Sequence, residues 1–237
     1  MRRLGIFETI RVKEGKIVYF DQHLSRIIKS SCFFKIKLPC SREKLAGLIL
    51  ESVKKAGIKD GRLKVIIRQG PHRAAVQILI QKYKPFPKNK YREGFRVTVS
   101  PFRQNELRLA RHKTTGRLLY DLSFKQAKKA GYDEALILNK FGYLTEATRS
   151  NVFFARSGKL FTPDAKCGCL EGITRRAVKD LALKHKIKVC EGEFRLEDIA
   201  SAQEAFLTNS LMGIMPFKGK CGKITKLLIE EYNCLLK

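Results

Sequence analysis

Short runs rich in β-branched residues alternate with segments of helical periodicity, and this alternation limits the fold more than any other feature of the sequence. Residues 62–68 and 76–83 have the composition of strands, and residues 173–184 have helical spacing. Further strands are predicted at residues 6–12, 17–20, 95–99, 134–138, 143–145, 152–155, 160–161, 187–190 and 205–207. Further helices are predicted from Asp21 to before Pro39 and at residues 41–57, 119–130, 196–200 and 225–235. The sequence therefore predicts a mixed α/β chain without internal repeats.

A polar segment with little periodicity at residues 101–112 divides the predicted elements into two groups. We predict a small α/β domain at residues 1–104, an interdomain connector at 105–112 and a larger domain at 113–237. A chain of 237 residues is long enough to bury a substantial core in such an arrangement.

The charge of the chain is strongly positive, with 49 Lys and Arg against 22 Asp and Glu. Nucleic acid, an anionic membrane surface and acidic substrates are the partners that such an excess suits. The basic residues are spread along the whole chain, which argues against specific nucleic-acid recognition. An acidic substrate would still be attracted by the positive charge. No apolar run reaches membrane-spanning length, and Glu8 and Arg11 interrupt the only signal-like start. We expect a cytoplasmic protein without a membrane partner.

The seven cysteines are odd in number and irregularly spaced, as in proteins that keep reduced thiols. Cys167 and Cys169 form the only close pair, and no second pair or histidine cluster completes a zinc set. No metal site is predicted.

Lys113 is a candidate nucleophile, because it follows the connector and precedes the small residues Thr114, Thr115 and Gly116. Clefts form between domains, and glycine lets a ligand approach the backbone. A lysine amine in such a cleft can attack an aldehyde. The alternative is a solvated surface lysine.

Further polar residues suit a phosphorylated pyridine cofactor. Glu146 follows a predicted hairpin and is either a surface carboxylate or a partner for a pyridinium nitrogen. Gly172, Ile173 and Thr174 open a helix whose free amides favour an anion. Asn209 and Ser210, at the end of a strand, and Arg26, on the first helix, could add donors. Glu8 falls on the apolar face of the first strand, at a strand edge or in a polar pocket.

The motifs 5-GIFETIR-11, 23-HLSR-26 and 131-GYDEAL-136, together with those above, occur in the order found in one family. The chain resembles the class IV aminotransferases, the fold-type IV pyridoxal phosphate enzymes, over nearly its whole length. The resemblance implies a two-lobed fold, with a small α/β domain and a larger pseudo-barrel domain that binds pyridoxal 5'-phosphate. It also implies a homodimer that acts on a small amino substrate.

The resemblance also implies roles for individual residues. Lys113 forms the Schiff base and moves the substrate proton, and Glu146 pairs with the pyridine nitrogen. The phosphate is bound by Arg26, by the helix start at Gly172, Ile173 and Thr174, and by Asn209 and Ser210. Arg73 and Glu8 are the predicted substrate-binding residues.

Departures from the family pattern affect the pocket rather than the cofactor. Gly116 and Leu118 stand where many relatives have asparagine and tyrosine, and Arg149 is unusually bulky for its position. Relatives usually carry a further initial strand before the part matching Gly5.

Three functions follow from these patterns. The preferred one is a 4-amino-4-deoxychorismate lyase that releases pyruvate and 4-aminobenzoate, because Arg117-Leu118 and the turn at residues 209–212 resemble those of lyases. The second is a transaminase of branched-chain or D-amino acids that uses a 2-oxo acid acceptor. The third, suggested by the charge, is a non-catalytic basic binding protein on the same fold.

Overall fold

The structure is a computed structural model that describes residues 4–70 and 73–236. The described chain divides into two compact units, which are treated separately below. The first comprises the described residues up to Pro85 together with His112–Gly116, and the second comprises Phe86–Arg111 and the described residues from Arg117 onward.

The first unit is an antiparallel sheet covered on one face by two helices. Its strands, in the order β2-β1-β3-β4, are β1 (Gly5–Lys13), β2 (Lys16–Ile17), β3 (Gly61–Arg68) and β4 (Ala75–Lys82). The helices are α1 (Phe20–Phe33) and α2 (Arg42–Ala56). Alternate residues of β1 and β3, among them Ile6, Ile10 and Leu63, are buried with the apolar face of the helices. Burial of this face holds the unit together.

The segment His112–Gly116 belongs to the first unit because it pairs with the start of β1. The amide of Phe7 donates to the carbonyl of Lys113 at 2.8 Å, and the amide of Thr115 donates to the carbonyl of Gly5 at 2.8 Å. Gly5 favours this approach, since a Cβ there would lie 2.9 Å from Oγ1 of Thr115, whose side chain would have to shift. Lys113 is thereby fixed beside β1.

The second unit contains two sheets. A three-stranded sheet has the order β5-β6-β7, and a five-stranded sheet has the order β10-β9-β8-β11-β12. The strands are β5 (Val97–Gln104), β6 (Glu134–Asn139), β7 (Leu144–Ala147), β8 (Asn151–Arg156), β9 (Lys159–Pro163), β10 (Val189–Gly192), β11 (Glu204–Asn209) and β12 (Gly213–Pro216). The helices are α3 (Lys88–Glu93), α4 (Leu107–Ala110), α5 (Leu118–Lys129), α6 (Ile173–Lys184), α7 (Leu196–Ala200) and α8 (Lys223–Leu235).

Aromatic and aliphatic side chains from both sheets form the core of the second unit. Phe153 of β8 and Phe206 of β11 stack with ring centroids 5.2 Å apart. Leu136 and Leu144 of the three-stranded sheet share a cluster with Leu207 of the five-stranded sheet. The two sheets therefore fold around one core.

The boundaries of the two compact units differ from those of the predicted small domain (1–104), connector (105–112) and larger domain (113–237). Residues 86–104 group with the second unit because β5 pairs in parallel with β6. The predicted connector at 105–112 carries the helix α4, and residues 112–116 group with the first unit.

Several local predictions are corrected by the structure. The helix α1 begins at Phe20 rather than after a cap at Asp21, and the predicted strand at 17–20 shortens to Lys16–Ile17. Asp21 lies instead within the first helical turn, where its negative charge interacts favourably with the positive end of the helix dipole. The helix α3 and the strand β12 were not predicted. No helix in the described ranges is long and apolar enough to cross a membrane.

Candidate active site

The residues predicted to bind cofactor and substrate are divided between the two units. Glu8, Arg26 and Lys113 lie in the first unit, and Arg73 is an exposed residue of the loop before β4. The second unit carries the remaining predicted residues, which are Glu146, Gly172, Ile173, Thr174, Asn209 and Ser210.

Glu8 lies in a buried polar cluster, which decides between the two alternatives left open by the sequence. It is 2% exposed on β1, a strand that pairs on both sides. Arg26 donates from Nε to Oε1 at 2.7 Å and from Nη2 to Oε2 at 2.6 Å. Nδ1 of His23 lies 2.8 Å from Oε2. The helix α1 places His23 and Arg26 one turn apart, so both reach the same carboxylate.

The charges of this cluster follow from burial and pairing. Burial alone raises the pKa of Glu8, but the charge and hydrogen bonds of Arg26, with the hydrogen bond of His23, bring that pKa well below its usual range. The pKa of His23 is lowered, mainly by burial and also by the charges of Arg26 and Lys113, against the opposing effect of Glu8. The cluster thus holds a carboxylate, a guanidinium and a neutral imidazole that donates from Nδ1. These contacts support an orienting role of Glu8 toward Arg26.

Lys113 is held by its backbone and lies near the face of an aromatic ring. Its Nζ is 5.4 Å from the ring centroid of Phe7, and Nζ of Lys64 is 4.8 Å from the same centroid. The neighbouring His112 stacks on Phe33 with ring centroids 4.1 Å apart, and this contact fixes the segment further. Phe7 alternates with Glu8 along β1, so its ring lies on the sheet face opposite to the side chain of Glu8.

Glu146 is a buried carboxylate of β7, 7% exposed. The phenol of Tyr120 donates to Oε1 at 3.1 Å, and the backbone amide of Leu170 donates to Oε2 at 3.2 Å. Tyr120 in turn accepts a hydrogen bond from Nε2 of Gln104 at 3.0 Å. Glu146 is therefore not the surface carboxylate that the sequence left as an alternative.

The start of α6 presents backbone amides without a side-chain cap. Gly172 is the residue before the first helical turn, and a Cβ there would lie 2.0 Å from Oδ1 of Asn151. Asn151 also donates from Nδ2 to the carbonyl of Leu170 at 2.6 Å, so it braces the segment that leads into the helix. The buried Thr174 lies in the first turn, where backbone amides have no helical acceptor.

The arginine that follows has a structural role in this helix. Arg175 is buried and donates to the carbonyl of Pro163 at 2.8 Å and to Glu191 at 2.6 Å. Arg176 is exposed. The charge of Arg175 is therefore paired with Glu191 inside the unit.

Asn209 is the last residue of β11 and holds the turn that begins with Ser210. Its Oδ1 accepts from the amides of Leu211 at 3.0 Å and Met212 at 2.9 Å, and its Nδ2 donates to Oγ of Ser150 at 3.2 Å. Ser210 is half-buried beside it. Oγ1 of the preceding Thr208 is buried without a hydrogen-bond partner among the residues described.

Sequence reasoning missed His23, Tyr120 and Gln104 as parts of these clusters. For His23 a usable signal was its spacing of three residues from Arg26, which places both side chains on one helical face. Tyr120 lies between Leu119 and Leu122, whose apolar side chains are the stronger local signal for a buried face. Gln104 was assigned to the edge of a connector, and only the pairing of β5 with β6 reveals its position.

Metal ligands and cysteines form no recognisable centre in the described chain. No three His, Cys, Asp or Glu residues are grouped there to hold an ion. Cys167 and Cys169 are buried thiols, and burial raises their pKa to about 11 and about 12. These thiols are therefore poor nucleophiles at neutral pH.

A family model described as amino-transferase class IV matches residues 5–219. Aminodeoxychorismate lyase of Bacillus subtilis is 27% identical over 97% of this chain and 79% of its own length. Branched-chain-amino-acid aminotransferase of Pseudomonas aeruginosa is 24% identical over 97% of this chain and 83% of its own length.

The crystal structure of a branched-chain aminotransferase from Thermoproteus uzoniensis with norvaline has the same fold. It superposes with a TM-score of 0.91 at 28% identity, covering 98% of this chain and 86% of that one. The mixed α/β fold class predicted from the sequence is confirmed.

Proposed function

The chain belongs to the class IV aminotransferase family of enzymes, and we propose that it uses pyridoxal phosphate to cleave 4-amino-4-deoxychorismate into pyruvate and 4-aminobenzoate. The relatives named above include both a lyase and an aminotransferase, so the choice between these activities depends on features of this chain.

Several residues fit the parts of the cofactor. A buried carboxylate, Glu146, suits a protonated ring nitrogen, and the glycine-led start of α6 suits a phosphate. The hydroxyl of Thr208, buried without a partner among the described residues, is a further donor that a polar ligand could satisfy. When bound, pyridoxal phosphate accepts the electrons of the bond that breaks at the substrate's α-carbon.

The proposed roles of individual residues follow from their chemistry. The amine of Lys113 binds the cofactor aldehyde and then carries the substrate's α-proton. Arg26, the amides of Ile173 and Thr174, and the hydroxyl of Ser210 bind the phosphate, while Glu8 holds the guanidinium of Arg26 in place. Substrate contacts of Glu8 and Arg73 stay predictions.

The observation that carries the lyase proposal is the ammonium group of Lys64 beside the ring of Phe7, because Lys113, near the same ring, is the amine proposed to bind the cofactor. Nζ of Lys64 lies 4.8 Å from the ring centroid, and Nζ of Lys113 lies 5.4 Å from it. A surface of this kind suits an anionic ring, because the ring packs on the phenyl group while a carboxylate meets the cation of Lys64. 4-Amino-4-deoxychorismate is a ring with two carboxylates, whereas a branched aliphatic side chain gains nothing from this charge.

A transaminase of branched-chain or D-amino acids is the second candidate, and the named aminotransferase relative favours it. Such an enzyme needs a 2-oxo acid acceptor, whereas the lyase releases pyruvate without one. We further propose a cytoplasmic homodimer, a state that sedimentation of the purified protein would test. Salt-sensitive nucleic-acid binding without turnover would favour the basic binding protein instead.

The proposal is tested by supplying the purified protein with pyridoxal phosphate and each candidate substrate. We expect pyruvate from 4-amino-4-deoxychorismate without an added 2-oxo acid. The variant Lys113→Ala should lose at least about a thousandfold in turnover and all borohydride-reducible cofactor. The exposed Lys125→Ala serves as the control and should behave like the parent. Strict dependence on an added 2-oxo acid would assign the chain to the transaminases.

A further inference from the structure

Glu146 stands at the end of a chain of hydrogen bonds that begins at the backbone. The amide of Glu106 donates to Oε1 of Gln104 at 2.9 Å. Nε2 of Gln104 then donates to the phenol oxygen of Tyr120 at 3.0 Å, and that phenol donates to Oε1 of Glu146 at 3.1 Å. Gln104, Tyr120 and Glu146 are all buried, so water does not compete for these bonds.

The direction of this chain is fixed by the chemistry of its groups. A backbone amide can only donate, so it selects the oxygen of Gln104 and turns Nε2 toward Tyr120. The phenol oxygen accepts from Nε2, which leaves the phenol proton to point at Glu146. Burial, and then the charge of Glu146, raise the pKa of Tyr120 well above its usual range. The proton therefore stays on the phenol, and the carboxyl group remains the acceptor.

The two donors hold Glu146 at both of its oxygens. Tyr120 holds Oε1, and the amide of Leu170 holds Oε2 at 3.2 Å, so rotation of the carboxylate would break at least one hydrogen bond. Both donors are neutral groups. They favour the ionised form of Glu146 without adding a positive charge of their own.

Tyr120 is placed for this contact by its helix. On α5 it shares the buried face with Ser123 and Ala127, whereas Leu118 is 73% exposed. The guanidinium of Arg117 lies 4.8 Å from the centroid of the Tyr120 ring and also donates to the carbonyl of Thr148 at 2.5 Å. These contacts fix the ring, and therefore the hydroxyl, relative to β7.

We propose that Tyr120, oriented by Gln104, is a positioning residue that keeps Glu146 ionised and aimed at the protonated ring nitrogen of the cofactor. The inference rests on the proposed use of pyridoxal phosphate, and it concerns a tyrosine for which the sequence predicted no role. Because Tyr120 acts through Glu146, its contribution should depend on the nitrogen atom of the ligand.

The experiment compares two ligands that differ at that atom. Dissociation constants are measured by equilibrium dialysis for pyridoxal phosphate and for its analogue with carbon in place of the ring nitrogen. The proteins are the full chain, Tyr120→Phe and the control Tyr91→Phe, which loses a 2.8 Å hydrogen bond to the carbonyl of Met212 in the same unit. We expect Tyr120→Phe to weaken pyridoxal phosphate binding about tenfold and analogue binding by less than about twofold. The control should leave both constants within about twofold of the parent.

A pH series adds a second readout. Without the phenol donor Glu146 takes up a proton more readily, so pyridoxal phosphate binding by Tyr120→Phe should fail at a higher pH than in the parent. The analogue should show no such difference between the two proteins.

Other outcomes would overturn the inference. Equal weakening of both ligands would mean that Tyr120 only supports the fold, and unchanged constants would mean that its hydrogen bond is immaterial. If the parent binds no pyridoxal phosphate, the proposed function fails and this inference with it. If Tyr120→Phe does not fold, Gln104→Leu replaces it, with the same ligand selectivity at about a threefold effect; lack of selectivity there would also overturn the idea.

Discussion

Two buried glutamates, one in each unit, are held in different ways. Glu8 receives hydrogen bonds from a guanidinium and an imidazole, at 2.6–2.8 Å. Glu146 receives them from a phenol and a backbone amide, at 3.1 and 3.2 Å. In Glu8 the negative charge is paired with a cation inside the fold, whereas the phenol and the backbone amide bind the oxygens of Glu146 as neutral donors.

This difference separates a carboxylate that supports structure from one suited to chemistry. Removal of Glu8 leaves Arg26 without its carboxylate, and the cost should appear in the free energy of unfolding. Replacement of Glu146 changes the charge offered to a ligand, and the cost should appear in binding and turnover. The predictions below test whether the two effects separate in this way.

The largest effect is expected from Glu146→Gln. The amide is neutral and cannot pair with a protonated ring nitrogen, so turnover should fall about 100- to 1000-fold. Glutamine has nearly the same shape and its oxygen can still accept from Tyr120, but its NH2 group cannot accept from the amide of Leu170. The free energy of unfolding should therefore fall by only about 1 to 2 kcal/mol. Steady-state kinetics and urea unfolding measure the two quantities. Glu93→Gln, at an exposed site of the same unit, is the control, and similar kinetic losses in both would contradict the assignment.

A smaller effect, and one on stability, is expected from Glu8→Ala. The variant leaves the guanidinium of Arg26 largely buried without its carboxylate, which should cost about 3 kcal/mol in the free energy of unfolding. Glu51→Ala removes an exposed pair with Lys55 on α2 and should leave the free energy of unfolding nearly unchanged. Urea unfolding at neutral pH compares the two. If the two variants lose equal free energy of unfolding, burial of the Glu8 cluster does not strengthen its contribution to stability.

The smallest effect concerns acid stability. The pKa of Glu8 in the folded protein lies well below its ordinary value of 4.5. A group with a lowered folded pKa contributes stability that is complete above the unfolded pKa and is lost as pH falls toward the folded one. Between pH 7 and pH 3 the parent should therefore lose more stability than Glu8→Gln, with the difference developing below about pH 4.5. Free energies of unfolding are measured for both proteins at each pH. If the difference between the parent and Glu8→Gln stays constant across this range, the pairing of Glu8 with Arg26 is refuted.

Local patterns in the sequence were sufficient for most elements of the fold. The alternation in β1 and β3 and the cap at Ser41 of α2 are properties of neighbouring residues, so they can be read without tertiary information. The strand β12 was missed because Gly213 and Pro216 suggest a turn. It forms nevertheless, since β11 provides an antiparallel partner.

The buried face of α5 shows where such reasoning ends. Apolarity favoured Leu119 and Leu122, but the buried positions include Tyr120 and Ser123, and Leu122 is exposed. A polar residue can be buried when tertiary partners satisfy its hydrogen bonds, as Gln104 and Glu146 do for Tyr120. Those partners are 16 and 26 residues away, so no local window contains them.

The candidate site follows the same division. The sequence singled out Glu146 and the glycine-led helix start, because each carries its own chemical signal. It could not show that Asn209 holds the following turn or that Arg175 binds Glu191, since these contacts depend on strands that meet only in the folded chain. Contacts of this kind decide which polar side chains remain available to a ligand.

The short segment that carries Lys113 has a consequence for attempts to divide the protein. Residues on both sides of His112–Gly116 belong to the second unit, while the segment itself pairs with β1. A gene cut after Pro85 would therefore give an amino-terminal fragment in which the start of β1 lacks the pairing with residues 113–115, and a carboxy-terminal fragment that separates Lys113 from Phe7. Reconstitution from these two fragments would require residues 112–116 of the carboxy-terminal fragment to pair with β1 of the amino-terminal fragment.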